Sequence, residues 1–223
     1  MTGWTSERHW NDECGVFAAI GVPDAAAIVG LGLHALQHRG QEAAGIVSCE
    51  SSQRFHTHKG LGLVSDVFND ERLARLPGRM AIGHNRYSTS GSVTLENTQP
   101  LHVVYRGGHL ALAHNGNLVN ARELRAGLEG SGSIFQTTID TEIFLHLMAL
   151  ARADDPMAAL IEAARQVSGA YALIVLTGDS VLAMRDAHGV RPLCIGRLGD
   201  GYVVASETCA LDLVGADYIR DVE

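Results

Sequence analysis

Two hairpins close this chain, and they constrain its fold more than any other feature. Tyr171–Leu176 and Val181–Arg185 are apolar runs separated by Thr177-Gly-Asp-Ser180, and Leu193–Gly196 and Tyr202–Ala205 flank Leu198-Gly-Asp-Gly201. Connections this short dictate antiparallel pairing, because parallel neighbours need a crossover of about a dozen residues or more. Upstream, Cys14-Gly-Val-Phe-Ala-Ala-Ile20 reads as a strand buried on both faces and stopped by Gly21 and Pro23. Further strands are expected at Ala44–Cys49, Phe55–Lys59, Ala81–Tyr87 and Leu110–His114. Asp24 is placed to cap a helix carrying Ile28, Leu31, Ala35 and Leu36 at helical spacing and ending near Arg39-Gly40. Other helices are expected at Asn120–Leu128, Asp140–Ala151, Pro156–Val167 and Thr208 to about Val214, with Asp155 capping the third of these four. Helices grouped rather than alternating with strands argue for a single α+β domain with antiparallel sheets.

Composition narrows the function classes. The 223 residues carry 17 basic and 25 acidic side chains, a formal net charge of −8. That balance disfavours a phosphate-backbone binder, whose affinity comes from Lys and Arg, so no nucleic-acid partner is expected. No apolar run approaches the ~20 residues of a membrane span, and the N-terminal residues contain no apolar signal core. These features point to a cytoplasmic chain without a membrane partner. The four cysteines, at 14, 49, 194 and 209, include no C-x-x-C pair, and the eleven histidines show no H-E-x-x-H spacing, so no metal site is expected. Cys49, Cys194 and Cys209 lie in apolar surroundings and read as buried, inert thiols.

Polar residues concentrate in Leu36-Gln-His-Arg-Gly-Gln-Glu-Ala-Ala-Gly45, Gly83-His-Asn-Arg-Tyr-Ser-Thr-Ser90, Ala113-His-Asn-Gly-Asn-Leu118 and Thr138-Ile-Asp-Thr-Glu142. Each alone has an ordinary structural explanation. Asn115-Gly116 reads as a turn, Asp140 as a helix start, Arg86 as a surface ion-pair partner, and His84 and His114 as hydrogen-bonded strand residues.

Together and in order, with Cys14-Gly-Val-Phe17 ahead of them, these segments resemble the class II glutamine amidotransferases, which are N-terminal nucleophile (Ntn) hydrolases. Gln37-His-Arg-Gly-Gln-Glu42, Arg185-Asp-Ala-His-Gly-Val-Arg-Pro-Leu193 and Ala205-Ser-Glu207 are similar to the glutaminase half of the amidophosphoribosyltransferase family. The resemblance runs from Cys14 to the end of the chain. It implies a four-layer αββα sandwich with two mainly antiparallel sheets, with residues 1–13 as a propeptide and 14–223 as the amidotransferase domain.

What the family does makes chemical sense of these residues. An N-terminal nucleophile attacks with its side chain while its own α-amine serves as base. The resemblance therefore implies removal of Met1–Glu13, because the nitrogen of an internal Cys14 is an amide. It further implies an oxyanion hole from the Asn115 side chain and the Gly116 N–H. Arg86 would grip the α-carboxylate of glutamine and Asp140 its α-ammonium; Arg39 would belong to a loop closing over substrate; Thr89, His84 and Tyr87 would support the site. Ammonia would pass to a phosphoribosyltransferase half that makes phosphoribosylamine in purine synthesis. The acidic doublets Asp12-Glu13, Asp70-Glu71 and Asp154-Asp155 do not fit that half's phosphate-binding signature, so the sequence reads as a fragment of a longer enzyme. The resemblance assigns no cofactor to this part. Mg²⁺, and in propeptide-bearing members a [4Fe–4S] cluster, belong to the full-length enzyme, which would be a homo-oligomer. Two alternatives remain open: a glutaminase feeding another acceptor, and an unprocessed module that binds glutamine without turning it over.

Overall fold

The two closing hairpins occupy different sheets. A computed structural model of the chain describes residues 14–87 and 94–223. Its strands are β1 (Gly15–Ile20), β2 (Ala43–Ser51), β3 (Arg54–Leu61), β4 (Met80–Arg86), β5 (Leu101–Tyr105), β6 (Gly108–Leu118), β7 (Gly169–Leu176), β8 (Val181–Arg185), β9 (Cys194–Leu198), β10 (Gly201–Ala205) and β11 (Asp217–Asp221). Its helices are α1 (Ala25–Ala35), α2 (Val64–Val67), α3 (Asp70–Leu73), α4 (Ala121–Gly130), α5 (Thr141–Leu150), α6 (Pro156–Ala164) and α7 (Thr208–Val214). One sheet has the order β11-β9-β10-β1-β4-β2-β3 and the other β5-β6-β7-β8. Every strand pair in both is antiparallel.

Strand alternation sorts the core into three slabs. One face of the larger sheet, with Phe17, Ala19, Ile46 and Val203, packs under α1, α2 and α7. The outer face of the smaller sheet, with Leu110, Leu112, Leu173 and Val175, packs under α4, α5 and α6. Between the sheets lie Val16, Ala18, Val47, Ile82, Ala111, Ala113, Ala172 and Ile174. The result is the expected αββα order. Because β1 and β7 are apolar on both sides, each feeds two slabs, which is why neither shows the polar alternation of a solvent-facing strand.

The elements differ from the sequence expectations in several places. Helix α1 stops at Ala35, and Gln37–Arg39 forms a separate 3₁₀ turn. Asp24 does precede α1, but at φ 48° and ψ 44° its side chain makes no capping bond. Its carbonyl instead accepts the Ala27 and Ile28 N–H groups at 2.8 and 3.3 Å. Asp155 caps α6 as expected, accepting the Ala158 N–H at 2.8 Å. Strands β5 and β11 and the short helices α2 and α3 are additional to the sequence reading. Cys209, expected to be buried, is exposed, whereas Cys49 and Cys194 are buried. No helix among the described residues is long and apolar enough to cross a membrane.

Candidate active site

Cys14 sits one residue before β1, the central strand of the larger sheet. Val16 and Ala18 face the slab between the sheets, so two-residue alternation aims Cys14 the same way. The same rule aims Arg86 inward from β4 with Ile82 and His84, and Asn115 inward from β6 with Ala111 and Ala113. Three residues singled out from sequence therefore face one interlayer space from three strands.

The start of β1 is held from both sides. Beyond the Phe17–Ala205 pair, Ser206 extends the ladder: its N–H donates to the Val16 carbonyl and its Oγ accepts the Val16 N–H, both at 3.0 Å. On the other side Gly15 pairs with Asn85. The Cys14 thiol itself lies between the backbone groups of Tyr87, donating to the carbonyl at 3.3 Å and accepting from the N–H at 3.4 Å. Burial pushes this thiol above its ordinary pKa, against the opposing pull of the Tyr87 backbone and of the Arg86 and Arg39 charges.

Arg39 is fixed from the 3₁₀ turn. Its Nε donates to the Cys14 carbonyl at 3.2 Å, and its Nη1 donates to Glu207 Oε1. Glu207 Oε2 takes His38 Nε2 at 3.0 Å. Burial would raise the Glu207 carboxyl, but Arg39 and His38 outweigh it and hold it below the usual carboxylate range. The resemblance pointed to Arg39 as part of a closing loop; here it is tied to the nucleophile residue's own backbone.

Ahead of β5, which begins at Leu101, the Gln99 side chain continues the pairing with β6. Its Oε1 accepts the His114 N–H at 2.7 Å and its Nε2 donates to the His114 carbonyl at 3.2 Å. His84 Nε2 donates to that same carbonyl at 3.2 Å, tying the two sheets together. The His84 ring is wholly buried, and burial together with the Arg86 and His114 charges lowers its pKa to about 3. It is a neutral tie between the sheets.

Asn115 is 1 % exposed, and its Nδ2 has no hydrogen-bond partner among the described residues. An amide donor buried without an acceptor is costly, by roughly 1–3 kcal/mol, unless something else accepts from it. Gly116 follows at φ +141°, and a Cβ there would lie 2.1 Å from the Ala170 carbonyl oxygen. Only glycine fits the β6–β7 contact at this point.

Asp140 lies at the start of α5, on the far side of β6 from Asn115. Its Oδ2 accepts the Leu118 N–H at 2.8 Å, and Oδ1 stands 3.5 Å from His114 Nδ1. Burial opposes ionisation, but His114 and the Leu118 N–H lower the carboxyl below its ordinary value. Asp140 borders a cleft of about 440 Å³ with Asn117, Leu118, Arg122, Arg125 and Thr138. Cys14, Arg86 and Asn115 do not line that cleft. A hydrogen-bonded relay joins the two places: Arg86 Nη1 donates to the Asn97 carbonyl at 2.7 Å, and the Asn97 side chain pairs with Thr138 at 2.9 and 3.0 Å. Thr89 and the Met1–Glu13 segment lie outside the described residues.

Sequence reasoning missed Gln99, Asn97 and the Arg39–Glu207 pair. The first two act through side-chain bonds to backbone some 15 to 41 positions away, which no local spacing announces. The Ser206-Glu207 dipeptide did stand out, without a role.

The profile of the glutamine amidotransferase domain family matches residues 84–213. The chain belongs to this family. Among curated relatives of this glutamine amidotransferase domain, the amidophosphoribosyltransferase of Bacillus subtilis is 48 % identical over 216 residues, 96 % of this chain and 45 % of that protein. That of Rhizobium etli is 50 % identical, covering 96 % and 43 % respectively. Amidophosphoribosyltransferase 1 of Arabidopsis thaliana, a chloroplastic protein, is 51 % identical, covering 95 % and 38 %. The chain thus spans less than half the length of these relatives. The solved glutamine phosphoribosylpyrophosphate amidotransferase of B. subtilis, complexed with ADP and GMP, superposes with a TM-score of 0.88 at 47 % identity over 94 % of this chain and 45 % of that one. A glutamine aminotransferase class-II domain protein from Silicibacter pomeroyi shares the fold, with a TM-score of 0.57 at 13 % identity.

The amidotransferase domain's four cysteines do not gather into a cluster-binding set. Cys49 rests on the Ser51 and Gly178 carbonyls at 3.2 and 3.6 Å, Cys194 on the Ala205 carbonyl at 3.4 Å, and Cys14 on Tyr87. These residues do not fit a [4Fe–4S] cluster, which requires four convergent thiolates.

Proposed function

We propose that this domain hydrolyses glutamine to glutamate and ammonia through Cys14, as the glutaminase half of an amidophosphoribosyltransferase. The observation that carries the reading is the buried Asn115 amide, without a partner among the described residues, facing the same interlayer space as the Cys14 thiol. A donor left waiting in that place suits an oxygen that becomes negative only during reaction.

After release of residues 1–13, the Cys14 α-amine takes the thiol proton, and the thiolate attacks the carboxamide carbon of glutamine. The two groups have reference pKa values near 8 and 8.5, so the transfer is close to balanced. Asn115 Nδ2 and the Gly116 N–H donate to the developing oxyanion, ammonia departs with the returned proton, and water opens the glutamyl thioester to free glutamate and thiol. The buried Arg86 guanidinium binds the α-carboxylate, and the ionised Asp140 receives the α-ammonium. Arg39, bonded to the Cys14 carbonyl, holds the nucleophile's backbone while Glu207 holds Arg39.

The names of the relatives support phosphoribosylamine synthesis, early in purine formation, as the destination of the ammonia. Glutamine is then the partner of this half and phosphoribosyl pyrophosphate that of a transferase half, to which we assign Mg²⁺ and any [4Fe–4S] cluster. We expect the complete enzyme to be a homo-oligomer.

The test joins peptide mapping to turnover. Purified protein treated with a glutamine-like electrophile should begin at Cys14 and carry the adduct there, and glutamate release should disappear in Cys14→Ala. Equal release by Cys14→Ala would overturn the assignment. An intact leader with unlabelled Cys14 and no turnover would favour the unprocessed glutamine-binding module.

A further inference from the structure

Beside the candidate active site, three side chains of different chemistry converge that the proposed hydrolysis does not need as a group. His38, Glu207 and Cys209 come from the 3₁₀ turn, the residue before α7 and the first turn of α7. Their donor atoms all lie within 4.8 Å of one another. His38 Nε2 is 3.0 Å from Glu207 Oε2, and Cys209 Sγ is 3.6 Å from the same oxygen.

These separations resemble the edges of a coordination tetrahedron. With Zn–N and Zn–O near 2.0 Å and Zn–S near 2.3 Å, the edges are about 3.3 Å for N···O and about 3.5 Å where sulfur takes part. Imidazole, carboxylate and thiolate together form a borderline-soft set that suits zinc better than calcium or magnesium.

A separate observation concerns the His38 ring. Its Nδ1 lies 3.1 Å from the Ala35 carbonyl, which accepts and so requires a proton on Nδ1. That leaves Nε2 of the neutral ring with a lone pair, aimed at a carboxylate oxygen 3.0 Å away. Two acceptors at that distance need a cation between them, a proton or a metal. A backbone carbonyl holding the outer nitrogen is the usual way a metal-binding histidine is oriented. Access is open: His38 and Cys209 are exposed, and a cleft of about 350 Å³ bordered by Cys194, Ser206, Glu207 and Cys209 leaves room for a solvent ligand.

We propose that His38, Glu207 and Cys209 form a zinc-class divalent metal site. On binding, the Cys209 thiol and the His38–Glu207 pair each release a proton to solvent, bonds form from the cation to Nε2, Oε2 and Sγ, and the hydrated ion gives up three waters. No electron moves. Glu207 Oε1 stays with Arg39, so the cation sits one carboxylate away from the residue that holds the Cys14 carbonyl.

The test is titration of the chelator-treated full chain with Co²⁺, read by absorbance, with Zn²⁺ competing. One equivalent should bind with an intense thiolate-to-cobalt band, and Zn²⁺ should displace it. The band should fall at least tenfold in Cys209→Ser and in His38→Ala, and persist in Cys49→Ser, Cys194→Ser and Cys14→Ser. Far-ultraviolet circular dichroism should show all five variants folded. Absence of the band in the parent protein would mean that a proton, not a metal, joins His38 to Glu207, and would overturn the proposal. So would a band that survives Cys209→Ser or vanishes with Cys194→Ser.

Discussion

Replacing Gly116 by alanine should damage the fold and the proposed oxyanion hole through one contact. The added Cβ would stand 2.1 Å from the Ala170 oxygen and 2.8 Å from the Tyr171 Cα, where ordinary contact begins at 3.4 Å. Strands β6 and β7 would have to part by about 1 Å. That strains one or two ladder hydrogen bonds, worth about 0.5–1.5 kcal/mol each. The backbone at φ +141° adds strain of about 1–3 kcal/mol for a residue with a side chain. Together the loss is about 1.5–6 kcal/mol, which in a chain this size lowers Tm by about 3 °C or more. Urea unfolding followed by far-ultraviolet circular dichroism measures it directly. The matched control is Gly127→Ala in α4, where nothing lies within 4 Å of an added Cβ; it should be neutral or stabilising by up to about 1 kcal/mol. A loss under 1 kcal/mol at Gly116, or an equal loss at both positions, refutes the reasoning.

Further expectations concern the site and its surroundings. Asn115→Ala should lower glutamate release by ~10²–10³ while Cys14 still alkylates, a split readable by comparing turnover with labelling. Arg86→Lys, which replaces a buried two-pronged donor by a point charge, should raise the KM for glutamine by about tenfold to a hundredfold in steady-state kinetics. His84, with a pKa of about 3 when folded against 6.5 unfolded, binds a proton in the unfolded chain first. Stability is therefore complete above pH 6.5 and falls as pH drops toward 3, by about 2 kcal/mol at pH 5, and Asp140 acts in the same direction at lower pH. Urea midpoints at pH 7.5 and 5 should converge in His84→Gln; an unchanged slope would assign the effect elsewhere. Asp155→Ala should cost about 1 kcal/mol through the lost bond to Ala158, measured by the same unfolding curves.

The architecture was legible in sequence because its decisive signals are local. The Thr177–Ser180 and Leu198–Gly201 turns lie within the two hairpins, and Asp155-Pro156 starts α6 where capping chemistry says it should. Strand β11 was hidden because all its residues are exposed at a sheet edge, so no apolar pattern marks it. The α1 helix was read too long because Leu36 is buried like a helical residue although the chain has already turned into the 3₁₀ segment. At the site, the residue types and their order pointed to Cys14, Arg86 and Asn115, and period-two alternation explains why they share a face. How His84 supports the site was not legible, because only the packing of β4 on β6 shows that its ring is sealed between the sheets. Cys209 was misread because apolar sequence neighbours on α7 do not fix which side of the helix faces solvent.

The position of β1 in the middle of its sheet also bears on how the protein should fail. The backbone that presents Cys14 is paired with β4 on one side and with β10 and Ser206 on the other, and the thiol is lodged against the backbone of Tyr87, just past the end of β4. No single peripheral opening releases it. Loss of nucleophile reactivity in denaturant should therefore trace the same curve as global unfolding, whereas groups reached through the edge strands β3 and β11 should become exposed earlier. Reactivity and foldedness are, at this residue, one cooperative quantity.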